Sequence, residues 1–125
     1  MSLAFDNRDG WIWLNGSFVP WREATSHVIS QGLHYASCVF EGERAYKDKI
    51  FKSTEHTDRL FNSARILGIT IPYSKNEINQ AKDNLIKKMN FSNCYVRPAV
   101  WRGSLQMGIS TSKSDIHVAI AAWDD

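Results

Sequence analysis

The sequence has little of several features that mark particular classes of protein. Its two cysteines, Cys38 and Cys94, are too few and too far apart for a disulfide framework or a metal site. The net charge is only +2, with both signs interspersed, so nothing favours nucleic acid or an anionic membrane as a partner. No apolar run approaches the roughly twenty residues that span a membrane, and no basic segment precedes an apolar one at the N-terminus. These absences predict a soluble, cytoplasmic protein with reduced cysteines.

Length and patterning predict one domain preceded by a short arm. A chain of 125 residues buries roughly two thirds of its unfolded surface when it folds as one domain, enough for a hydrophobic core. Residues 1–10 carry little apolar pattern and are predicted to form a flexible N-terminal arm. Residues 11–125 contain no repeat, low-complexity tract or evident linker, and are predicted to form the domain.

Strand signals occur early and late in the chain. The pair 15–16 is Asn-Gly between two short apolar runs, which is typical of a two-residue hairpin turn. Residues 40–46 are predicted to form a further strand. Residues 94–101 alternate like a strand, but Pro98 lacks a hydrogen-bond donor, which favours an edge position or a bulge. Residues 116–123 are almost wholly apolar, which predicts a strand covered on both faces.

Two helices are predicted between these strands. Apolar residues recur at helical spacing from Thr54, a candidate N-cap, to residue 67, and Gly68 follows as a candidate C-terminal cap. Ser74 and Glu77 have the spacing of a capping box before a second apolar stripe that ends near residue 90. The fold class predicted is therefore α+β, a mainly antiparallel sheet with two helices packed on one face.

Two sets of residues on these strands suit recognition of a small acid. Phe40, Gly42 and Arg44 occupy alternate positions and so face one side of a strand, as do Tyr95 and Arg97. A ring, a bare backbone and a guanidinium suit an acid with an apolar side chain, and a phenol beside a guanidinium suits a carboxylate. Ordinary strands with a core phenylalanine, a bulge glycine and solvated or salt-bridged arginines explain the same residues, so both interpretations stand.

Five short motifs follow one another along the chain. They read Trp13-x-Asn15-Gly16, His34-Tyr35-x-x-x-Val39-Phe40-Glu41-Gly42-x-Arg44, Glu55-His56-x-x-Arg59-Leu60, Tyr95-x-Arg97-Pro98 and Gln106-Met107-Gly108. Together the motifs span the chain from about Trp11 to Trp123, which is more specific than any single short pattern. In this order they resemble the branched-chain amino acid aminotransferases, which are fold-type-IV (class IV) enzymes that use pyridoxal phosphate.

The resemblance implies the fold of the family's small N-terminal domain and roles for individual residues. Tyr95 is expected to recognise the substrate α-carboxylate, Arg97 the side-chain carboxylate of glutamate, and Arg59 the phosphate of pyridoxal phosphate. An exposed helix residue paired with Glu55 four positions earlier is the alternative for Arg59. The other substrate-binding residues implied are Phe40, Gly42 and Arg44. The resemblance also implies a homodimer or a dimer-based oligomer, in which four residues reach the neighbouring active site: Tyr35, Met107, Gly108 and Ile109.

A pyridoxal enzyme needs a lysine that forms a Schiff base with the cofactor. None of the eight lysines lies in the family's lysine context, so the resemblance places that lysine in a second domain and predicts no catalytic residue in this chain. The expected activity of the whole enzyme is transfer of the amino group of leucine, isoleucine or valine to 2-oxoglutarate. Glu43 stands where many relatives have an apolar residue, which leaves the substrate preference open.

Two alternatives remain beside this expectation. The first is a related fold-type-IV enzyme, such as a D-amino acid aminotransferase or an aminodeoxychorismate lyase. The second is a stand-alone binding or assembly domain that kept the sheet and the dimer surface without the chemistry. A nucleic-acid-binding module is disfavoured by the near-neutral charge and by the absence of clustered basic residues.

Overall fold

The structure is a computed structural model that describes residues 4–105 and 115–124. Within these residues seven strands form one sheet in which every pair is antiparallel. The strands are β1 (Trp11–Leu14), β2 (Ser17–Pro20), β3 (Cys38–Phe40), β4 (Glu43–Tyr46), β5 (Lys49–Ile50), β6 (Cys94–Arg102) and β7 (Ile116–Trp123). The helices are α1 (Gln31–Tyr35), α2 (Ser53–Ile66) and α3 (Lys75–Met89), and one 3-10 turn spans Trp21–Glu23. The predicted α+β class is confirmed.

The sheet is built around the long strands β6 and β7. Its order is β2-β1-β7-β6-β4-β5, and β3 also pairs with β6, beyond the end of β4. The first two strands form the predicted hairpin, with φ of 50° at Asn15 and 94° at Gly16. Positive φ at both residues is what a two-residue turn needs to match the twist of its strands.

The position of Pro98 differs from the prediction. β6 is an interior strand, since β7 pairs with one side of it and β3 and β4 with the other, so the expectation of an edge was wrong. There is no bulge either, because one register continues across the gap: Phe40 lies opposite Ala99, and Glu43 opposite Val96. The ladder lapses at Pro98 because this residue has no N–H to donate. The predicted strand 40–46 is divided in two at this point.

Helices α2 and α3 pack side by side on one face of the sheet and enclose the core. The core-facing positions alternate along the strands, as in Val96 and Val100 of β6. On β7 the buried residues likewise alternate with partly exposed ones, so within the described residues the helices cover one face of that strand and not two. The main buried side chains are Leu60, Ala64, Ile78, Leu85, Ile86, Val96, Val100, Val118 and Ile120.

Helix α2 begins one residue before the cap predicted at Thr54. Lys52 precedes the helix in a left-handed conformation, with φ of 57°, and its carbonyl already accepts a bond of 2.9 Å from the N–H of His56. Thr54 therefore lies in the first turn of the helix. At the other end Gly68 has φ of 71°, as predicted for a residue that follows a helix.

The N-terminal residues that the structure describes contact the sheet. The ring of Phe5 lies 5.0 Å from that of Trp123 and 5.9 Å from that of Trp21. The indole N–H of Trp21 also donates to the carbonyl of Phe5 at 2.9 Å. These contacts show that Phe5 packs against Trp21 and Trp123. The flexibility of residues 1–10 stays a prediction.

Candidate active site

The face of the sheet opposite α2 and α3 brings together residues predicted to bind the substrate. Arg97 Nη2 donates to the hydroxyl of Tyr95 at 2.7 Å, and the Arg97 guanidinium lies 4.2 Å from the centre of the Phe40 ring. Arg44 lies directly opposite Tyr95 on the neighbouring strand. We call Phe40, Tyr95 and Arg97 the outer cluster. It combines an apolar ring, a phenol and a cation, and the Phe40 ring is 56% exposed.

Gly42 allows the outer cluster to form. A Cβ atom at this position would overlap the hydroxyl oxygen of Tyr95, which is the group that accepts the bond from Arg97. The tyrosine hydroxyl therefore rests directly on the bare backbone of Gly42. The role of this glycine is close approach, whereas the sequence also allowed a bulge.

The guanidinium of Arg97 has a buried donor that finds no partner among the described residues. Its Nε atom is buried and makes no hydrogen bond to the described residues. A buried donor of a charged group is costly to leave unpaired, so the position favours an added acceptor. Beside Arg97 a depression of about 220 Å³ opens on the same face, lined largely by small or apolar side chains: Ile12, Leu14, Ala24, Thr25, Ser26, Ala99, Trp101, Ala119 and Ala121.

Arg59 lies on the helix-bearing side of the same three-residue segment, 40–42. Its Nε donates to both carboxylate oxygens of Glu41, at 3.1 and 2.9 Å, and its Nη2 donates to Glu41 Oε1 at 2.7 Å. The Glu41 side chain is 4% exposed, whereas that of Arg59 is 66% exposed. Arg59 is therefore anchored along one edge and open to solvent elsewhere. Glu55, the alternative partner, is paired with Lys52 instead, at 3.4 Å.

His56 completes this anchor, one turn before Arg59 on α2. Its Nδ1 lies 2.7 Å from Glu41 Oε1. Burial pushes the pKa of the Glu41 carboxyl upward, but the hydrogen bonds and charges of Arg59 and His56 outweigh it and hold that pKa below its usual value. Glu41 is thus ionised near neutral pH, and Nδ1 of His56 is the donor. We call Glu41, His56 and Arg59 the rim cluster.

A second ionic group lies deeper beneath the sheet. Lys82 of α3 donates to Glu43 at 2.7 Å, to the hydroxyl of Thr57 at 2.9 Å and to the carbonyl of Ser53 at 3.1 Å. The side chains of Lys82 and Glu43 are both fully buried. Burial raises the pKa of Glu43, and the charge of Lys82 opposes this rise without cancelling it. We call Glu43, Lys82 and Thr57 the inner cluster.

The inner cluster explains which face of the sheet the Glu43 side chain occupies. Its side chain points to the helices, on the face opposite the outer cluster, because it is one residue out of phase with Gly42 and Arg44. Its charge is compensated inside the protein by Lys82. Glu43 therefore does not face the predicted substrate side, although its departure from the family pattern suggested an effect on substrate preference.

The remaining predicted residues lie apart or outside the described part of the chain. Tyr35 is the last residue of α1, 48% exposed, and its ring neighbour is His34 at 6.4 Å. Met107, Gly108 and Ile109 lie outside the described residues. Of the lysines that the structure describes, Lys82 alone is buried, and it is held by Glu43.

Sequence reasoning assigned no role to Glu41, His56 or Lys82. A signal was present for two of them. Glu41 lies two residues after Val39 and so has the same alternation as that apolar residue, and Lys82 lies four residues after Ile78 in the apolar stripe of its helix. Charges at core positions require partners, so each position could have indicated an ion pair, although not which residue completes it.

Comparison with known proteins identifies the family of the chain. A sequence profile of the family described as amino-transferase class IV matches residues 38–125. The chain belongs to the class IV aminotransferases. A branched-chain-amino-acid aminotransferase of Pseudomonas aeruginosa is 48% identical over 127 residues, covering 98% of this chain and 41% of the relative. The Escherichia coli K12 enzyme of the same name is 35% identical over 120 residues, covering 90% of this chain and 39% of the relative.

Solved structures of these aminotransferases share the fold. The T.th. branched-chain amino acid aminotransferase superposes with a TM-score of 0.89 at 38% identity, covering 94% of this chain and 41% of that one. The Escherichia coli enzyme gives 0.88 at 36% identity, covering 93% of this chain and 40% of that one. The chain thus spans about two fifths of the length of these relatives. No helix among residues 4–105 and 115–124 is long and apolar enough to cross a membrane.

Proposed function

We propose that this chain is the N-terminal domain of a pyridoxal phosphate-dependent aminotransferase that transfers the amino group of leucine, isoleucine or valine to 2-oxoglutarate. The outer cluster carries the proposal. It sets an exposed ring against a guanidinium whose buried Nε makes no hydrogen bond within the described part of the chain. Such a surface offers apolar contact to a branched side chain and a charge to the second carboxylate of glutamate. Amino transfer between these two substrates needs both.

Ligand complexes of a related enzyme support the same substrates. The T.th. aminotransferase has been solved with 4-methylvaleric acid, with pyridoxamine 5′-phosphate and with N-(5′-phosphopyridoxyl)-L-glutamate. The first is an apolar branched acid, and the last joins the cofactor to glutamate. This chain matches that protein at 38% identity, and we assign the same classes of ligand to it.

The residues present fit the phosphate of pyridoxal phosphate. Glu41 occupies the Nε–Nη2 edge of Arg59, and no hydrogen bond among the described residues uses Nη1. The Nη1–Nη2 edge of this exposed guanidinium is therefore available to an anion. When bound, pyridoxal phosphate supplies the electron sink for the reaction. The lysine that anchors it covalently is proposed to lie in the second domain.

The residues of this chain would act by binding and orienting. Tyr95 presents its hydroxyl on the backbone of Gly42, where it can donate to the substrate α-carboxylate while accepting from Arg97. Arg97 would bind the side-chain carboxylate of glutamate and leave Phe40 as the contact for an apolar side chain. Because the ring and the guanidinium are already stacked, neither has to be ordered when the substrate arrives.

The activity is tested on the full protein that contains this chain. Incubation with L-leucine and 2-oxoglutarate should produce L-glutamate and the 2-oxo acid of leucine. No glutamate from any of the three branched-chain substrates would contradict the proposal. Turnover of D-alanine but not L-leucine would favour a D-amino acid aminotransferase instead.

The cofactor role of Arg59 is tested by dialysis of the same protein. Arg59→Ala should lose pyridoxal phosphate that the wild type retains, because the phosphate loses its cation. Arg65→Ala is the matched control, since Arg65 is also exposed on α2 and bonds only Asn62 among the described residues. Equal retention by both variants would remove the assignment of Arg59.

We also propose a homodimer or a dimer-based assembly in which Tyr35 and residues 107–109 reach the neighbouring active site. The exposed ring of Tyr35, at the end of α1, is consistent with burial against a second subunit. Light scattering of the full active protein tests this proposal. A monomeric active enzyme would exclude a shared site.

A further inference from the structure

We propose that Glu41 is a positioning residue for cofactor phosphate, and that it acts by fixing which edge of Arg59 remains available to the anion. The proposal rests on the proposed function, because it assumes that Arg59 receives the phosphate of pyridoxal phosphate. Three features of the rim cluster carry it.

The first feature is the pattern of bonds on the guanidinium. Glu41 takes Nε and one hydrogen of Nη2, which is the side edge of the fork. The remaining donors, on Nη1 and on the other side of Nη2, form the end edge and lie parallel to one another. That edge matches two oxygens of a phosphate. An arginine without Glu41 would rotate about its side-chain torsions and lose this preset direction.

The second feature is the contrast in burial. Arg59 is 66% exposed, yet its partner carboxylate is 4% exposed. A pair formed only for surface charge would leave both groups in water, as in the Lys52–Glu55 pair, where both side chains are more than half exposed. Glu41 is instead a fixed point in the protein, and Arg59 extends from it into solvent.

The third feature is the support of Glu41 by His56. Nδ1 of His56 donates to the same oxygen, Oε1, that receives Arg59 Nη2. The Glu41 carboxylate is thereby held from two successive turns of α2. The backbone N–H of Glu41 also donates to the carbonyl of Pro98 at 3.0 Å. The orientation of Arg59 is thus tied to β6, the strand that carries Tyr95 and Arg97 of the outer cluster on its other face.

The test measures equilibrium affinity and not turnover. The full protein is stripped of cofactor and titrated with pyridoxal phosphate and, separately, with pyridoxal, which has the same ring and aldehyde but no phosphate. Glu41→Gln should weaken binding of pyridoxal phosphate about tenfold, the scale of one charge-assisted interaction. Its affinity for pyridoxal should stay within about twofold of the wild type, because that ligand has nothing for Arg59 to bind.

Glu55→Gln is the matched control. It makes the same chemical change in an exposed carboxylate that lies on α2, the helix of Arg59, and pairs with Lys52. The affinities for pyridoxal phosphate and for pyridoxal should both stay at the wild-type values. His56→Leu provides a second variant, which should shift the affinity for pyridoxal phosphate in the same direction by about threefold. Thermal unfolding of each apo protein identifies any variant that has lost its fold. If Glu41→Gln has lost its fold, the affinities of His56→Leu are used to test the role of Glu41.

The outcomes separate the two proposals. If wild-type protein binds pyridoxal phosphate no better than pyridoxal, the phosphate site itself, and with it the proposed function, is contradicted. If the wild type prefers pyridoxal phosphate and the folded variants keep the same preference, the role of Glu41 is overturned and the proposed function stands. A loss of affinity for both ligands alike would make Glu41 a structural residue only and would also overturn the inference.

Discussion

Glu41, between β3 and β4, and Glu43, the first residue of β4, are two residues apart, and both side chains are buried on the side of the sheet that carries α2 and α3. Their environments nevertheless differ. Glu41 reaches the rim of the helix layer, where Arg59 and His56 lower the pKa of its carboxyl. Glu43 points into the layer, where burial raises the pKa of its carboxyl although Lys82 lies 2.7 Å away. The rim cluster leaves an exposed cation, whereas every charge of the inner cluster is enclosed.

This difference separates a binding role from a structural one. Enclosed charges cannot contact a ligand, so Glu43, Lys82 and Thr57 act on the packing of α2 and α3 against β4. An exposed guanidinium held by a buried carboxylate can receive an anion without rearrangement. The two clusters therefore make different predictions when they are broken, and all of the following measurements use the full protein.

The largest effect is expected from breaking the inner pair on one side. Lys82→Met leaves Glu43 buried without its cation and should lower the free energy of unfolding by about 3–5 kcal/mol. The double variant Lys82→Met/Glu43→Leu removes both charges and should recover most of this loss, since an apolar pair of similar volume is often neutral or stabilising. Denaturant unfolding of both variants measures this, and a double variant as unstable as the single one would contradict the account.

A smaller loss is expected from Thr57→Val. The Thr57 hydroxyl accepts from Lys82 and donates to Asn79 Oδ1, so its removal leaves a buried ammonium with one acceptor fewer. We expect a loss of about 1–3 kcal/mol in the free energy of unfolding. Thr54→Val makes the same change at an exposed position of the same helix and should alter stability by about 0.5 kcal/mol or less. Equal effects of the two changes would argue against the network.

The two carboxyls should respond to pH with opposite signs. The pKa of Glu41 is lowered from 4.5, so its stabilising contribution is present above that value and is lost as the pH falls through its folded-state pKa. The pKa of Glu43 is raised from 4.5, so its contribution is complete below that value and declines as the pH rises through its folded-state pKa. Unfolding curves of Glu41→Gln and Glu43→Gln against wild type, from acid to neutral pH, measure both slopes. Slopes of the same sign would contradict the assigned environments.

The smallest effect is expected from Glu55→Ala. Glu55 pairs with Lys52 at 3.4 Å, and both side chains are more than half exposed, so its removal should change stability by about 0.5 kcal/mol or less. Retention of pyridoxal phosphate should not change, because Glu55 does not hold Arg59. Loss of cofactor from this variant would mean that Glu55 is the partner of Arg59 in solution.

Local signals in the sequence predicted much of the fold. Ser74 and Glu77 form the reciprocal bonds of a capping box, at 3.1 and 3.0 Å, and Asn90 ends α3 with φ of 56°. These features depend on neighbours within a few residues, as does the hairpin turn at 15–16. The strand phase that places Tyr95 and Arg97 on one face also follows from spacing alone.

Partners that are distant in sequence could not be predicted from spacing. Glu41 and Arg59 are 18 residues apart, and Glu43 and Lys82 are 39 apart, so each pairing depends on how α2 and α3 lie across the sheet. Pro98 was misplaced for a similar reason. An interior strand tolerates a proline where its neighbour gives up one ladder bond, and nothing near Pro98 in the sequence reports where β3 ends.

The proposed binding of both an apolar and an acidic side chain by the outer cluster is tested by Arg97→Met. In the full enzyme kcat/KM for L-glutamate should fall about 10- to 150-fold, the equivalent of 1.5–3 kcal/mol for a bond to a charged group. The value for L-leucine should change about threefold or less, because the Phe40 contact remains. An equal fall for both substrates, or no fall for glutamate, would contradict the claim.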